Sequence, residues 1–195
     1  MTDVLAVNNY PTDERFRRLR ASLEDVGAQV ISVRWDDVSA ARFAKHDGVA
    51  LSGSPDMMSD DSTFAKFKDE VDAIRDSRVP VLGVCFGHQM IARAFGARVV
   101  KAKAHVLRFV RTDPVARRGL FEGVSPHPML LESRYEMVES LPEGFVSLAS
   151  SETTPIAAMK HRKLPIYGVQ SHPERFTKEN PEGKAVCRNF VEMLR

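Results

Sequence analysis

Cysteine is nearly absent from this chain: two in 195 residues, Cys85 and Cys187. They lie far apart, with no His or Cys at ligand spacing, so they build no disulfide framework and no zinc site. His46, His105, His127 and His161 also lack paired ligand spacing, and no metal or other cofactor is expected. The net charge is only +2, which removes the electrostatic reason to expect a nucleic-acid partner. No apolar stretch nears membrane-spanning length, so no membrane association is expected. Met1 to Val7 lack the charged and long apolar regions of a signal peptide, and few cysteines suit a reduced, cytoplasmic setting. There is no repeat, no low-complexity segment and no dividing linker. A chain of 195 residues, 43% hydrophobic and 28% charged, reads as one domain over residues 1–195.

What is present alternates between strand and helix signals. Val4 to Val7 reads as a buried strand. Thr12 or Asp13 can cap a helix with Phe16, Leu19, Leu23 and Val26 on one face, stopping at Gly27. Gln29 to Val33 and Asp47 to Leu51 read as further strands, the latter ending in the turn Ser52-Gly53-Ser54-Pro55. Ser62 to Ser77 predicts a helix with Phe64, Phe67, Val71 and Ile74 inward, followed by a strand over Val79 to Val84. This alternation implies an α/β fold with a parallel, doubly wound sheet and helices on both faces. After Gly96 the pattern changes. Residues 97–112 and 127–170 hold short Val-, Leu-, Phe- and Tyr-rich runs that predict antiparallel additions. A last helix spans about Pro181 to Leu194, with Val186, Phe190 and Leu194 inward.

The most informative stretch is Gly83-Val84-Cys85-Phe86-Gly87-His88-Gln89. It follows an apolar run and predicts a strand that bends sharply into a helix, Phe86 to Phe95, with a thiol at the bend. Glycines on both sides permit the close packing that such a nucleophile elbow needs. The helix directs its free N–H groups at the sulfur and favours the thiolate.

A second segment, Gly168-Val169-Gln170-Ser171-His172-Pro173-Glu174, follows the strand-like Pro165-Ile166-Tyr167. In an extended chain His172 and Glu174 project to the same side. A carboxylate there can accept the imidazole N–H, fix its tautomer and stabilise its charged form, and His172 can take a proton from Cys85. The order Cys, His, Glu differs from the nucleophile, acid, His order of α/β-hydrolases. The turn at Ser52-Gly53-Ser54-Pro55 ends a parallel strand and falls on the same sheet edge. The N–H groups of Gly53 and Phe86 are the candidate oxyanion donors.

Together these three segments resemble the class I glutamine amidotransferases of the triad type, and the resemblance covers nearly the whole chain. It implies a flavodoxin-like α/β domain that hydrolyses the side-chain amide of L-glutamine and passes ammonia to a synthase. By resemblance Cys85 is the nucleophile, His172 the base and Glu174 its orienter. Gly53 and Phe86 supply oxyanion N–H groups, and Gln89 contacts bound glutamine. Asp60-Asp61 and Ser150 to Met159 add a likeness to the amidotransferase part of GMP synthase, which implies an ATP-pyrophosphatase as a separate partner chain. Two positions depart from the family pattern. Arg134 follows Ser133 where relatives commonly carry histidine, and Ser171 precedes His172 where phenylalanine is usual. The alternatives are a γ-glutamyl hydrolase or transferase, donation to another acceptor, or a non-catalytic regulatory module on the same fold.

Other residues have plainer readings. His88 is expected to pack inside the elbow helix, and Cys187 inside the last helix. Arg15, Arg17, Arg18 and Arg20 read as a solvated face. Ser133-Arg134-Tyr135 and the turn from Ser52 to Met58 are expected to rim the pocket as irregular or strand-end segments.

Overall fold

The computed structural model describes residues 2–195. Its strands are β1 (Thr2–Asn8), β2 (Ala28–Arg34), β3 (Gly48–Leu51), β4 (Val81–Val84), β5 (Val99–Pro114), β6 (Met129–Val138), β7 (Phe145–Ser151), β8 (Thr154–His161) and β9 (Ile166–Val169). Its helices are α1 (Asp13–Glu24), α2 (Ala40–Phe43), α3 (Asp61–Lys66), α4 (Lys68–Asp76), α5 (Phe86–Ala94) and α6 (Glu182–Glu192). The strands form one nine-stranded sheet in the order β2-β1-β3-β4-β9-β8-β7-β5-β6. Strands β2, β1, β3, β4 and β9 run parallel, and the remaining neighbours are antiparallel.

Alternation along the central strands divides the core between the two faces of the sheet. Leu5, Val7, Val49, Leu51 and Val81 meet Phe67, Val71 and Ile74 of the α3–α4 segment and Met90 and Ile91 of α5. Val4, Ala6, Ala50, Leu82 and Val84 meet Phe16, Leu19 and Leu23 of α1 and Val186 and Phe190 of α6. The central parallel strands β1, β3, β4 and β9 are therefore covered on both sides, whereas the edge strand β2 is partly exposed.

Three expectations need correction. The helix foreseen over Ser62 to Ser77 is broken at Phe67, whose φ of −95° and ψ of 20° end α3 and start α4. Phe67 is 1% exposed, and its ring packs edge-on against Phe86; core packing overrides helical continuity there. The run 127–170 is not wholly antiparallel. Its last strand, β9, pairs parallel with β4 from Val81↔Ile166 to Val84↔Val169. Ser133, Arg134 and Tyr135 lie inside β6 rather than at a strand end.

Candidate active site

Strand β4 ends at Val84 and α5 starts at Phe86, so Cys85 alone makes the turn. It has φ 51° and ψ −98°, and no other non-glycine among the described residues has a positive φ. Such a conformation costs about 1–3 kcal/mol. Two gains offset it. Burial of Phe86, 1% exposed, contributes ~1.5–3 kcal/mol, and the Cys85 N–H donates to the Val169 carbonyl at 2.8 Å, worth about 1 kcal/mol. The glycines explain the tight geometry. A Cβ on Gly83 would lie 2.5 Å from the Gly87 carbonyl, and one on Gly87 would lie 2.8 Å from Leu51 Cβ. The first helical acceptor is the Cys85 carbonyl, bonded by Gln89 N–H at 3.1 Å. The earlier N–H groups at the helix start, that of Phe86 included, have no intrahelical acceptor.

His172 and Glu174 follow β9, the strand beside β4. Nδ1 of His172 lies 2.7 Å from Oε1 of Glu174, with both side chains buried. The link is not the extended one that the sequence suggests, because Pro173–Arg175 forms a 3-10 turn. That turn still brings the carboxylate under the imidazole. The His172 N–H also donates to the Leu131 carbonyl at 2.7 Å, which anchors the turn to β6. Burial opposes charge on His172, but the Glu174 carboxylate and the neighbouring Cys85 outweigh it and push the imidazole up to about 10. The sulfur also contacts the Ser133 carbonyl at 3.6 Å and Gln170 Nε2 at 3.7 Å.

A cavity of about 520 Å³ opens at this point, and Cys85, Phe86, Gln89, His172 and Glu174 all line it. Nε2 of Gln89 donates to the Glu136 carbonyl at 3.1 Å and to Gln170 Oε1 at 3.3 Å. Gly53 lies beside His172 but does not line the cavity. Its Cα faces the Tyr10 hydroxyl and His172 Cε1, so a side chain at 53 would collide with both. Tyr10 was not foreseen in the sequence. Burial, with Glu174 and Cys85 nearby, pushes its phenol up, so it stays protonated.

The cavity mouth refines several readings. The α1 arginines are exposed, as a solvated face requires, and Arg15 and Arg18 also line the cavity mouth together with Arg175. Met57 lines the wall, whereas Met58 is fully buried in the core. Arg134 forms a buried ion pair with Glu132, Nε to Oε2 at 2.7 Å, and donates to the Thr153 carbonyl at 2.9 Å. Glu132 is further held by the hydroxyls of Ser151 and Thr153 at 2.8 and 2.6 Å. Ser171 is buried beside the His172 turn. His88 is buried against the backbone of Ile156 and Gly168, and burial drives it down to about 4; it is a neutral packing residue. Cys187 is buried, and burial pushes its thiol up.

A thiol at a strand-to-helix bend thus faces the same cavity as a buried His-Glu pair that follows the next parallel strand. The family model for glutamine amidotransferase class-I matches residues 11–194. The chain belongs to that family. Its relatives include the A-chain component of the glutamine-hydrolyzing GMP synthase of Thermococcus kodakarensis, 38% identical over 151 residues, 76% of each chain. The protein of the same description from Methanosarcina barkeri is 36% identical over 192 residues, 97% of this chain and 95% of the other. Among solved structures, the candidate GMP synthase component of the same kind from Thermoplasma acidophilum superposes with a TM-score of 0.87 at 28% identity, over 100% of this chain and 94% of the other. A glutamine amidotransferase of Thermotoga maritima shares the fold, with a TM-score of 0.83 at 16% identity, covering 99% of this chain and 97% of the other.

Proposed function

We propose that this protein hydrolyses the side-chain amide of L-glutamine and delivers the ammonia to a separate synthase chain of the GMP synthase kind. The observation that carries the reading is the buried His172 imidazole, bonded to Glu174 at 2.7 Å on the same cavity as the Cys85 elbow. Cys85 attacks the amide carbon, and the carbonyl oxygen becomes an oxyanion opposite the N–H groups of Phe86 and Gly53. His172 gives the former thiol proton to the nitrogen, the C–N bond breaks, and ammonia leaves a γ-glutamyl thioester. Water then attacks the thioester and passes a proton to His172. The C–S bond breaks to release glutamate and restore the thiolate. Glu174 holds the imidazole in one tautomer throughout. Gln89 forms part of the wall against which glutamine lies.

The chain is taken as one amidotransferase domain over residues 1–195. The parallel strand order β2-β1-β3-β4-β9 supports a flavodoxin-like reading of that half of the sheet. A cytoplasmic setting accords with two free, buried cysteines; among the described residues, no helix is long and apolar enough to cross a membrane.

The test is ammonia release from L-glutamine by the purified protein, with and without an ATP-pyrophosphatase partner and its nucleotide substrates. Slow hydrolysis alone and a rise with the partner are expected. Full activity alone, unchanged by any synthase of the same cell, would favour an independent γ-glutamyl hydrolase or transferase. An unreactive Cys85 would favour a regulatory module.

A further inference from the structure

Beneath the Ser52–Gly53 turn lies a carboxyl group that the triad does not use. Glu70, on α4, is fully buried. Its Oε1 accepts from Asn9 Nδ2 at 3.1 Å. The same Nδ2 reaches the Ser52 carbonyl at 3.4 Å, and the Asn9 backbone N–H donates to Ser52 Oγ at 2.9 Å. The Ser52 hydroxyl in turn donates to the Gly53 carbonyl at 2.9 Å. Both peptide units that flank Gly53 are thus held from the side of Asn9.

Two atoms in this network are buried without a partner: Glu70 Oε2 and Asn9 Oδ1. Both are acceptors if Glu70 is ionised, and each would cost about 1–3 kcal/mol. They belong to the two side chains that already share a hydrogen bond. A single proton on Oε2 satisfies both, closing a ring of two parallel bonds between carboxylic acid and carboxamide.

We propose that protonated Glu70, ring-paired with Asn9, is a positioning residue that aims the Gly53 N–H at the oxyanion. The peptide unit Ser52–Gly53 is planar, so its N–H points away from its C=O. Asn9 grips that C=O, and the N–H is left on the opposite side. Glu70 fixes the Asn9 carboxamide, so the turn cannot rotate without breaking the ring. This role rests on the glutaminase reading above.

The surroundings keep the proton in place. Burial raises Glu70 to about 8, with the Asn9 bond opposing. No charge from neighbouring elements enters: Arg42 of α2 pairs with Asp37, Arg93 of α5 with Asp61, and Lys68 of α4 with Asp72. Above about pH 8 the proton leaves, two acceptors face each other, and the grip on Ser52 loosens.

Glu70→Gln preserves the ring at every pH, since its amide N–H₂ donates where the acid O–H did. Infrared spectra of the full chain are expected to show a protonated carboxyl band at pH 7 that fades through about pH 8 and is missing from Glu70→Gln. In glutaminase assays Glu70→Gln is expected to keep kcat within about twofold at pH 7 and to gain on the wild type above pH 8. Taking the ratio of the two cancels the titration of glutamine itself. Glu70→Ala is expected to lose roughly a hundredfold in kcat with little change in KM, the effect of one oxyanion donor. Asn9→Ala cuts the same link without opening α4, and serves if Glu70→Ala does not fold. No band at pH 7, or full kcat in both alanine variants, overturns the proposal. A band in a wild type that never hydrolyses glutamine overturns the positioning role through the function it rests on. Hydrolysis that is indifferent to Glu70 and Asn9 overturns this proposal alone.

Discussion

A Cβ on Gly83 would stand 2.5 Å from the carbonyl of Gly87, so the strand before Cys85 and the helix after it touch backbone to backbone. No side chain separates them, and the backbone of Cys85 is held by main chain. Gly87→Ala adds a methyl 2.8 Å from Leu51 Cβ and 2.9 Å from its carbonyl. Overpacking of this kind costs about 1–3 kcal/mol, with roughly 2–4 °C of Tm lost per kcal/mol. Labelling of Cys85 by a glutamine-like electrophile is expected to slow in parallel. Unchanged melting and labelling would mean that the elbow has slack.

Cys85 and Cys187 are both buried, but Cys85 lines the cavity and Cys187 does not. A glutamine-like electrophile is expected to modify Cys85 and leave Cys187, whose thiol is pushed up by burial. Cys85→Ala is expected to abolish amide hydrolysis while the fold persists in circular dichroism. Peptide mapping that found the label on Cys187 instead would remove Cys85 from the chemistry.

His172→Ala is expected to cost roughly tenfold or more beyond Glu174→Ala, because the imidazole moves the proton and the carboxylate orients it. Glu174→Gln deletes a charge that raises His172, so the imidazole should titrate below its present value of about 10. For His172 the folded value lies above the free value of 6.5. Its contribution to stability is thus complete below pH 6.5 and fades as pH climbs through about 10. Imidazole NMR titration of wild type and Glu174→Gln reads this shift directly, and equal values in the two would break the pairing.

Arg134 and Glu132 are each 1% exposed at the side chain. Removing one partner leaves a buried charge, so Arg134→Met is expected to lose about 3–5 kcal/mol in denaturant unfolding. Adding Glu132→Gln should restore part of that, since a neutral amide can still accept from Ser151 and Thr153. If the double variant is no more stable than the single, the ion pair is not the source of the loss.

The local signals in the sequence were clear where backbone chemistry is local. The elbow glycines, the apolar stripe of α1 and the His-Pro-Glu segment could each be read within a few residues. The break at Phe67 could not, because it depends on the Phe86 ring from a distant segment. The parallel insertion of β9 is set by β4, far away in the chain. Tyr10 carries no pattern that distinguishes it from any residue after a strand. Glu70 did leave a trace: it lies among Phe67, Val71 and Ile74 on the apolar stripe of its helix, where a carboxylate has no ordinary place.

The register Val84↔Val169 between β4 and β9 has a consequence for how the molecule comes into being. Cys85 and His172 follow neighbouring strands, yet most of the antiparallel half of the sheet is synthesised between them. A growing chain carries Cys85 long before it has His172, and closing so long a loop is slow. The Cys85 N–H has no Val169 carbonyl to bond until β9 slots between β4 and β8. The elbow and the His-Glu turn therefore meet only when the strand that completes the sheet is in place.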